Sequence, residues 1–127
     1  MRILQPDDVM VPPGGYSQGT AASGEMIFVA GQVAVDGEGN LVGPGDMRRQ
    51  TRQTLRNVQA ILAEGGASLS DVVKTTVYVT SFDAYREFDE EYSAFFGDHR
   101  PARATVRADL VLPALLVEIE AIAVVSR

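Results

Sequence analysis

The chain has 127 residues, 46% hydrophobic and 22% charged, a balance that suits one globular domain with a single two-layer core. The absence of cysteine excludes a disulfide framework, a thiolate metal site and a thiol nucleophile. Lys plus Arg total 11 against 17 Asp plus Glu, and the net charge of −6 is a poor match for nucleic-acid phosphates, whose binding depends on cations.

Residues 1–8 lack the apolar core of a signal peptide, and no apolar run approaches the roughly 20 residues that span a bilayer, so a cytoplasmic location is expected. Residues 1–4 can add a short strand. Residues 12–19, Pro-Pro-Gly-Gly-Tyr-Ser-Gln-Gly, read as a loop, with no G-x-G-x-x-G dinucleotide fingerprint. The apolar run 26–35 predicts a strand, and Gly31 within it predicts a bulge or a close backbone approach. Asp36-Gly37-Glu38-Gly39-Asn40 predicts a hairpin returning through Leu41-Val42. Asp46 can cap a helix running to Glu64, whose apolar positions Met47, Leu55, Val58, Ile61 and Leu62 recur at three- and four-residue steps. Its basic residues Arg48, Arg49, Arg52 and Arg56 read as a solvated helix face rather than a phosphate track. Ser68 to Asp71 resembles a capping box on one short turn. Residues 72–80 then predict a strand with Val73, Val77 and Val79 on one face.

A second helix is predicted over 83–96, with an aromatic stripe of Tyr85, Phe88, Tyr92, Phe95 and Phe96 that reads as core. Asp83, Glu87, Asp89, Glu90 and Glu91 crowd its outer face and first turns, where the helix dipole favours acids. Gly97 ends it. His99, the one histidine, falls in a polar loop and is expected in solvent; without cysteine it cannot complete a usual zinc ligand set. Residues 102–108 alternate as a strand, with Arg103, Thr105 and Arg107 on one face and Ala102, Ala104, Val106 and Ala108 on the other. Arg103 is either a surface arginine or a clamp for a small carboxylate or phosphate, since its fork of donors fits such anions bidentately. In the last strand, 115–125, Glu118 and Glu120 stand within an apolar run, where a buried charge must find donors. Glu118 has two readings: a proton carrier, its pKa raised by partial burial, or a structural ion pair with Arg103 or Arg107. No further acids supply a hard-metal site at Glu118 and Glu120, and no Gly-Xaa-Ser-Xaa-Gly element marks a serine nucleophile, so no metal is assigned.

The predicted order is β-β-α-β-α-β-β, with the possible extra N-terminal strand. Two helices on one face of a mixed β-sheet give a two-layer α+β fold. The opposite face carries Val72, Tyr78, Leu116 and Val124, which two helices cannot also cover, so a homo-oligomer is expected.

Several segments resemble the reactive intermediate deaminase family, also called the Rid, YjgF or L-PSP endoribonuclease family. They are Tyr16-Ser17-Gln18, Phe28-Val29-Ala30-Gly31-Gln32, residues 50–57 and 71–79, residues 92–96, Pro101-Ala102-Arg103, and Val117-Glu118-Ile119-Glu120-Ala121-Ile122-Ala123. The resemblance implies a chorismate-mutase-like (YjgF-like) α+β homotrimer with active sites in clefts between subunits. It implies hydrolysis of enamines and 2-imino acids such as 2-aminoacrylate to 2-keto acids and ammonia, with no metal or organic cofactor. By family motif Arg103 would grip the substrate carboxylate, and Glu118 would activate water and relay a proton. Tyr16, Gly31 and the strand after Arg103 would line the cleft. The chain departs from the family pattern at Ala30, where many members have serine, at Asp89, where asparagine is frequent, and at Thr105, where some have cysteine. Asp89 would repel an anionic substrate unless it faces Arg103 or another cation. A non-catalytic small-carboxylate-binding or regulatory module and, against the acidic charge, an endoribonuclease are the competing readings.

Overall fold

A computed structural model describes residues 1–126. Strands β1 (Arg2–Leu4) and β2 (Gly19–Ala21) pair antiparallel as a separate two-stranded sheet. The main sheet has four strands in the order β3 (Glu25–Gln32), β6 (Val117–Val125), β4 (Val72–Val79), β5 (Ala102–Arg107). It is mixed: β3 and β4 run antiparallel to β6, and β4 and β5 run parallel. The parallel pair needs a crossover, which helix α2 (Tyr85–Phe96) supplies. Helix α1 (Met47–Glu64) joins β3 to β4, with the short 3-10 turn Leu69–Asp71 between α1 and β4.

Local chemistry sets these boundaries. The Asp46 carboxylate accepts from the Arg49 N–H at 3.1 Å and caps α1, while Gly65 ends it by donating back to the Ile61 and Leu62 carbonyls. The predicted capping box has the Ser68 N–H donating to the Asp71 carboxylate at 2.9 Å. Alternation in β6 buries Val117, Ile119, Ala121 and Ala123 against the helices and turns Glu118 and Glu120 to the other face.

The structure corrects five local expectations. The strand predicted over 26–35 stops at Gln32, because the register shifts between Val29 and Gln32 at the bulge anticipated at Gly31. The return arm through Leu41-Val42 is only an isolated Val35–Leu41 bridge outside the sheet, although its turn forms and Asp36 donates to the Asn40 carbonyl at 2.9 Å. In β4 a register shift between Val72 and Lys74 turns Val72 inward, so Val72, not Val73, joins Val77 and Val79 in the core. Ile61 is exposed, while Gln50, Thr51 and Thr54 share the inner face of α1. His99 is half-buried: its Nε2–H donates to the Val72 carbonyl at 2.6 Å and its ring lies against Phe96.

Two polar devices hold the layers together. The fully buried Gln50 donates to the Gly43 and Ala114 carbonyls at 3.1 and 2.9 Å and accepts from the Leu116 N–H at 2.8 Å. It thereby ties α1 to the chain entering β6, with every polar atom satisfied. The Tyr92 and Thr75 hydroxyls, both buried, bond at 2.7 Å across the α2–β4 interface. Burial pushes the Tyr92 phenol up to about 12, so it stays neutral. Tyr92→Phe strands the Thr75 hydroxyl without a partner and is expected to cost about 1–3 kcal/mol in urea unfolding. An unchanged unfolding midpoint would show that the bond contributes nothing.

The basic residues of α1 are only partly a solvated face. Arg52 pairs with Glu91 at 2.7 Å, and Arg48 reaches Glu91 and Glu90 at 3.4 and 3.6 Å. These pairs are partly exposed, so each contributes little, but they draw cations toward α2 rather than outward. The helix-free face of the sheet leaves Met26, Phe28 and Val106 exposed, with Phe28 at 67%.

Candidate functional site

Arg103 sits second in β5, opposite Thr75 of β4, on the face toward the helices. It is not the surface arginine that spacing alone allows: its side chain is 1% exposed. Four rings surround the guanidinium carbon, Tyr92 at 4.7 Å, Tyr16 at 4.9 Å, Phe88 at 5.3 Å and Tyr85 at 6.0 Å from the ring centroids. Three of these rings lie on α2 at positions 85, 88 and 92, so the helical repeat that builds the core also builds the box. Nη1 donates to Asp89 Oδ1 at 2.8 Å and Nη2 to the Tyr85 hydroxyl at 2.6 Å.

Tyr16 reaches this cation because its loop is stitched to the start of β5. Ser17 donates from its N–H to the Pro101 carbonyl at 3.1 Å and from its hydroxyl to the Arg100 carbonyl, forming a parallel bridge with Ala102. Gly15 lets the loop press on α2: its N–H points at Asp89 Oδ1 at 3.4 Å, and a Cβ there would stand 2.0 Å from Ser93 Oγ. A cavity of ≈550 Å³ opens beside this contact, lined by Tyr16, Asp89, Ser93 and Arg100 among others. A second hollow of ≈400 Å³ is lined by Phe82, Tyr85 and Thr105. Thr105 Oγ1 is buried and has no hydrogen-bond partner among the described residues.

Glu118 is elsewhere. It lies opposite Tyr78 in the β4–β6 register, on the helix-free face. Gly31 packs directly on it: a Cβ at that position would stand 2.2 Å from Glu118 Oε2 and push the carboxylate out of this position. Ala30 is exposed beside Gly31. The Tyr78 hydroxyl donates to Glu120, and that bond raises the Tyr78 phenol above its ordinary value, helped by burial and by the Glu120 and Glu118 charges. Glu118 makes no ion pair among the described residues, so the structural pairing with Arg103 or Arg107 is overturned; Asp89 is the partner of Arg103.

The chain thus carries two half-sites back to back. Arg103 and Thr105 face the helices, where Asp89 of α2 and the Tyr16 loop meet Arg103; Ala30, Gly31 and Glu118 lie on the other side of the sheet. Among the described residues no group of three or more His, Asp or Glu side chains is placed to hold a metal ion. Among the described residues, too, no helix is long and apolar enough to cross a membrane.

The family model for Endoribonuclease L-PSP matches residues 8–125. The chain belongs to the Rid/YjgF/L-PSP family. A RutC family protein of Pyrococcus abyssi is 44% identical over 112 residues, covering 88% of this chain and 87% of that one. The crystal structure of the Rid family protein YyfB of Yersinia pestis superposes with a TM-score of 0.89 at 36% identity, covering 98% of each chain. The structure of E. coli TdcF with bound serine has a TM-score of 0.73 at 33% identity, covering 99% of this chain and all of that one. The mixed sheet with two helices is therefore the fold of the Rid/YjgF family.

In this Rid/YjgF chain Asp89 does face a cation, and that cation is Arg103 itself. Reading the stripe on α2 as core is correct for Phe88, Tyr92 and Phe96, with Tyr85 and Phe95 packed against them, but it misses the Tyr85 hydroxyl, which holds the guanidinium. A signal was present: two members of the stripe are tyrosine rather than phenylalanine, and a buried tyrosine hydroxyl needs a partner.

Proposed function

We propose that this chain is a hydrolytic deaminase of reactive enamines and 2-imino acids, working as a single Rid/YjgF-like domain in a homotrimer. The observation that carries the reading is Arg103. A permanent cation is held at 1% exposure with one of its two terminal nitrogens bonded only to a neutral hydroxyl beside an open hollow. A substrate carboxylate replaces the Tyr85 hydroxyl there more readily than it replaces the charged Asp89. TdcF, of similar fold, is described with a bound amino acid, a ligand of the same small-carboxylate class.

Chemistry then needs a base, and Glu118 cannot serve Arg103 of its own chain from the far face of the sheet. β5 is an edge strand, so a second copy packed along that edge, covering the exposed Val106 with its own Met26 and Phe28 face, brings its Glu118 into a cleft shared with Arg103. Glu118 takes a proton from water as the water oxygen attacks the C=N carbon and passes it to nitrogen; the carbinolamine hydroxyl then gives its proton through Glu118 to nitrogen as the C–N bond breaks. The products are a 2-keto acid and ammonia. An enamine first tautomerises to the imine. Tyr16 orders the arginine, Gly31 admits Glu118, and the strand carrying Thr105 lines the cleft together with Ala30 from the neighbouring copy. The reaction consumes only water and needs no metal or organic cofactor. We place it in the cytoplasm, with nucleic acid a poor partner for a chain of charge −6.

Imines generated by an amino-acid oxidase and trapped by semicarbazide report the activity: added protein lowers semicarbazone. Mixed trimers test the shared cleft. Arg103→Met and Glu118→Gln subunits, each inactive alone, are expected to recover about a quarter of wild-type activity when unfolded and refolded together, because one interface in four then holds both intact residues. No recovery on mixing would show that one chain supplies both groups, against this reading. The Arg103–Asp89 pairing also favours a second reading, a module that binds small carboxylates without turnover. Keto-acid binding with no loss of semicarbazone in wild type would select it.

A further inference from the structure

We infer that Asp89 sets which acids this site takes: it favours a small 2-iminium or 2-amino acid, with a positive nitrogen beside its carboxylate, over the 2-keto acid of the same carbon skeleton. The inference rests on the Arg103 clamp proposed above. Asp89 Oδ1 lies 2.8 Å from Nη1, so the cation already faces one full negative charge. The more replaceable partner is at Nη2, the neutral Tyr85 hydroxyl, and Tyr85 lines a hollow together with Phe82 and Thr105. A ligand carboxylate therefore arrives with Asp89 still in place. Four aromatic rings shield the guanidinium, and the Asp89 charge beside it, at 22% exposure, is only partly screened over the short distance to a bound ligand.

The charge count decides the outcome. Arg103 and Asp89 cancel. A keto acid adds one uncompensated negative charge; an iminium or ammonium acid adds none. Hydrolysis of the iminium acid exchanges its C=N bond for C=O and releases the nitrogen as ammonium, so the bound acid passes from net zero to net −1. The residue that admits the substrate thereby repels the product.

Titration calorimetry with 2-aminobutyrate and 2-oxobutyrate at neutral pH and low salt tests this on wild type, Asp89→Asn and Arg103→Met, with Asp89→Ser as a second variant should the amide fold poorly. Wild type is expected to bind 2-aminobutyrate about tenfold more tightly than 2-oxobutyrate, and Asp89→Asn to tighten 2-oxobutyrate about tenfold and erase the preference. Loss of both ligands in Arg103→Met, together with an unchanged ratio of dissociation constants in the Asp89 variants, overturns the role of Asp89 and leaves the clamp standing. Binding of neither acid by wild type, or of both by Arg103→Met as in wild type, removes the clamp and this inference with it.

Discussion

Arg103→Met is expected to lose both activity and stability. The variant removes the cation from a box in which it is 1% exposed, leaving the Asp89 carboxylate facing aromatic rings with no partner charge. Breaking a buried pair by removing one member costs about 3–5 kcal/mol; the lower end applies here, because Asp89 keeps 22% exposure and some access to water. Loss of the group that fixes the substrate should reduce kcat/KM about 10²-fold or more. A double variant separates the two effects. Arg103→Met with Asp89→Leu removes the stranded charge and should regain most of the stability in urea unfolding, yet none of the imine hydrolysis. Activity returning with stability would show that Arg103 matters only to the fold.

Glu118→Gln should show the opposite pattern. Glu118 makes no ion pair or hydrogen bond within the described chain, so the substitution is expected to shift unfolding by less than about 0.5 kcal/mol. The amide cannot accept a proton from water, and a lost general base typically costs about 10²–10⁴-fold in rate. The expected result is a fall in kcat with little change in KM or in the urea midpoint. A variant that keeps wild-type kcat would eliminate Glu118 as the base.

These two residues also show how far the sequence could be read. In 115–125 Glu118 and Glu120 share the period of Leu116 and Val124, the face expected to lie away from the helices, and the structure keeps them there because β6 has no bulge within it. The same rule misplaced Val73, since one register shift near Val72 reverses the faces and leaves no mark in hydrophobicity. Helix α1 was legible at both ends, through Asp46 and Gly65, and in the buried Met47, Leu55, Val58 and Leu62, whereas the polar part of its inner face was not. Gln50 is buried there only because the Gly43 and Ala114 carbonyls and the Leu116 N–H converge on it from distant parts of the chain. Ile61 is pushed outward on the same helix. The donor fork of Arg103 suggested an anion, but the anion that meets it within the chain is Asp89, brought there by the crossover that lays α2 over β5.

Residue chemistry and spacing alone determined where the helices start and stop, which strands alternate, that Gly31 marks a bulge, and that an arginine and a glutamate stand out. Only the tertiary structure decided that the arginine lies inside, neutralised and ringed by aromatics, while the glutamate lies on the far side of the same sheet. The face a side chain occupies relative to another strand depends on long-range register and crossover. Those are fixed by packing of the whole sheet against its helices, not by any local run of residues.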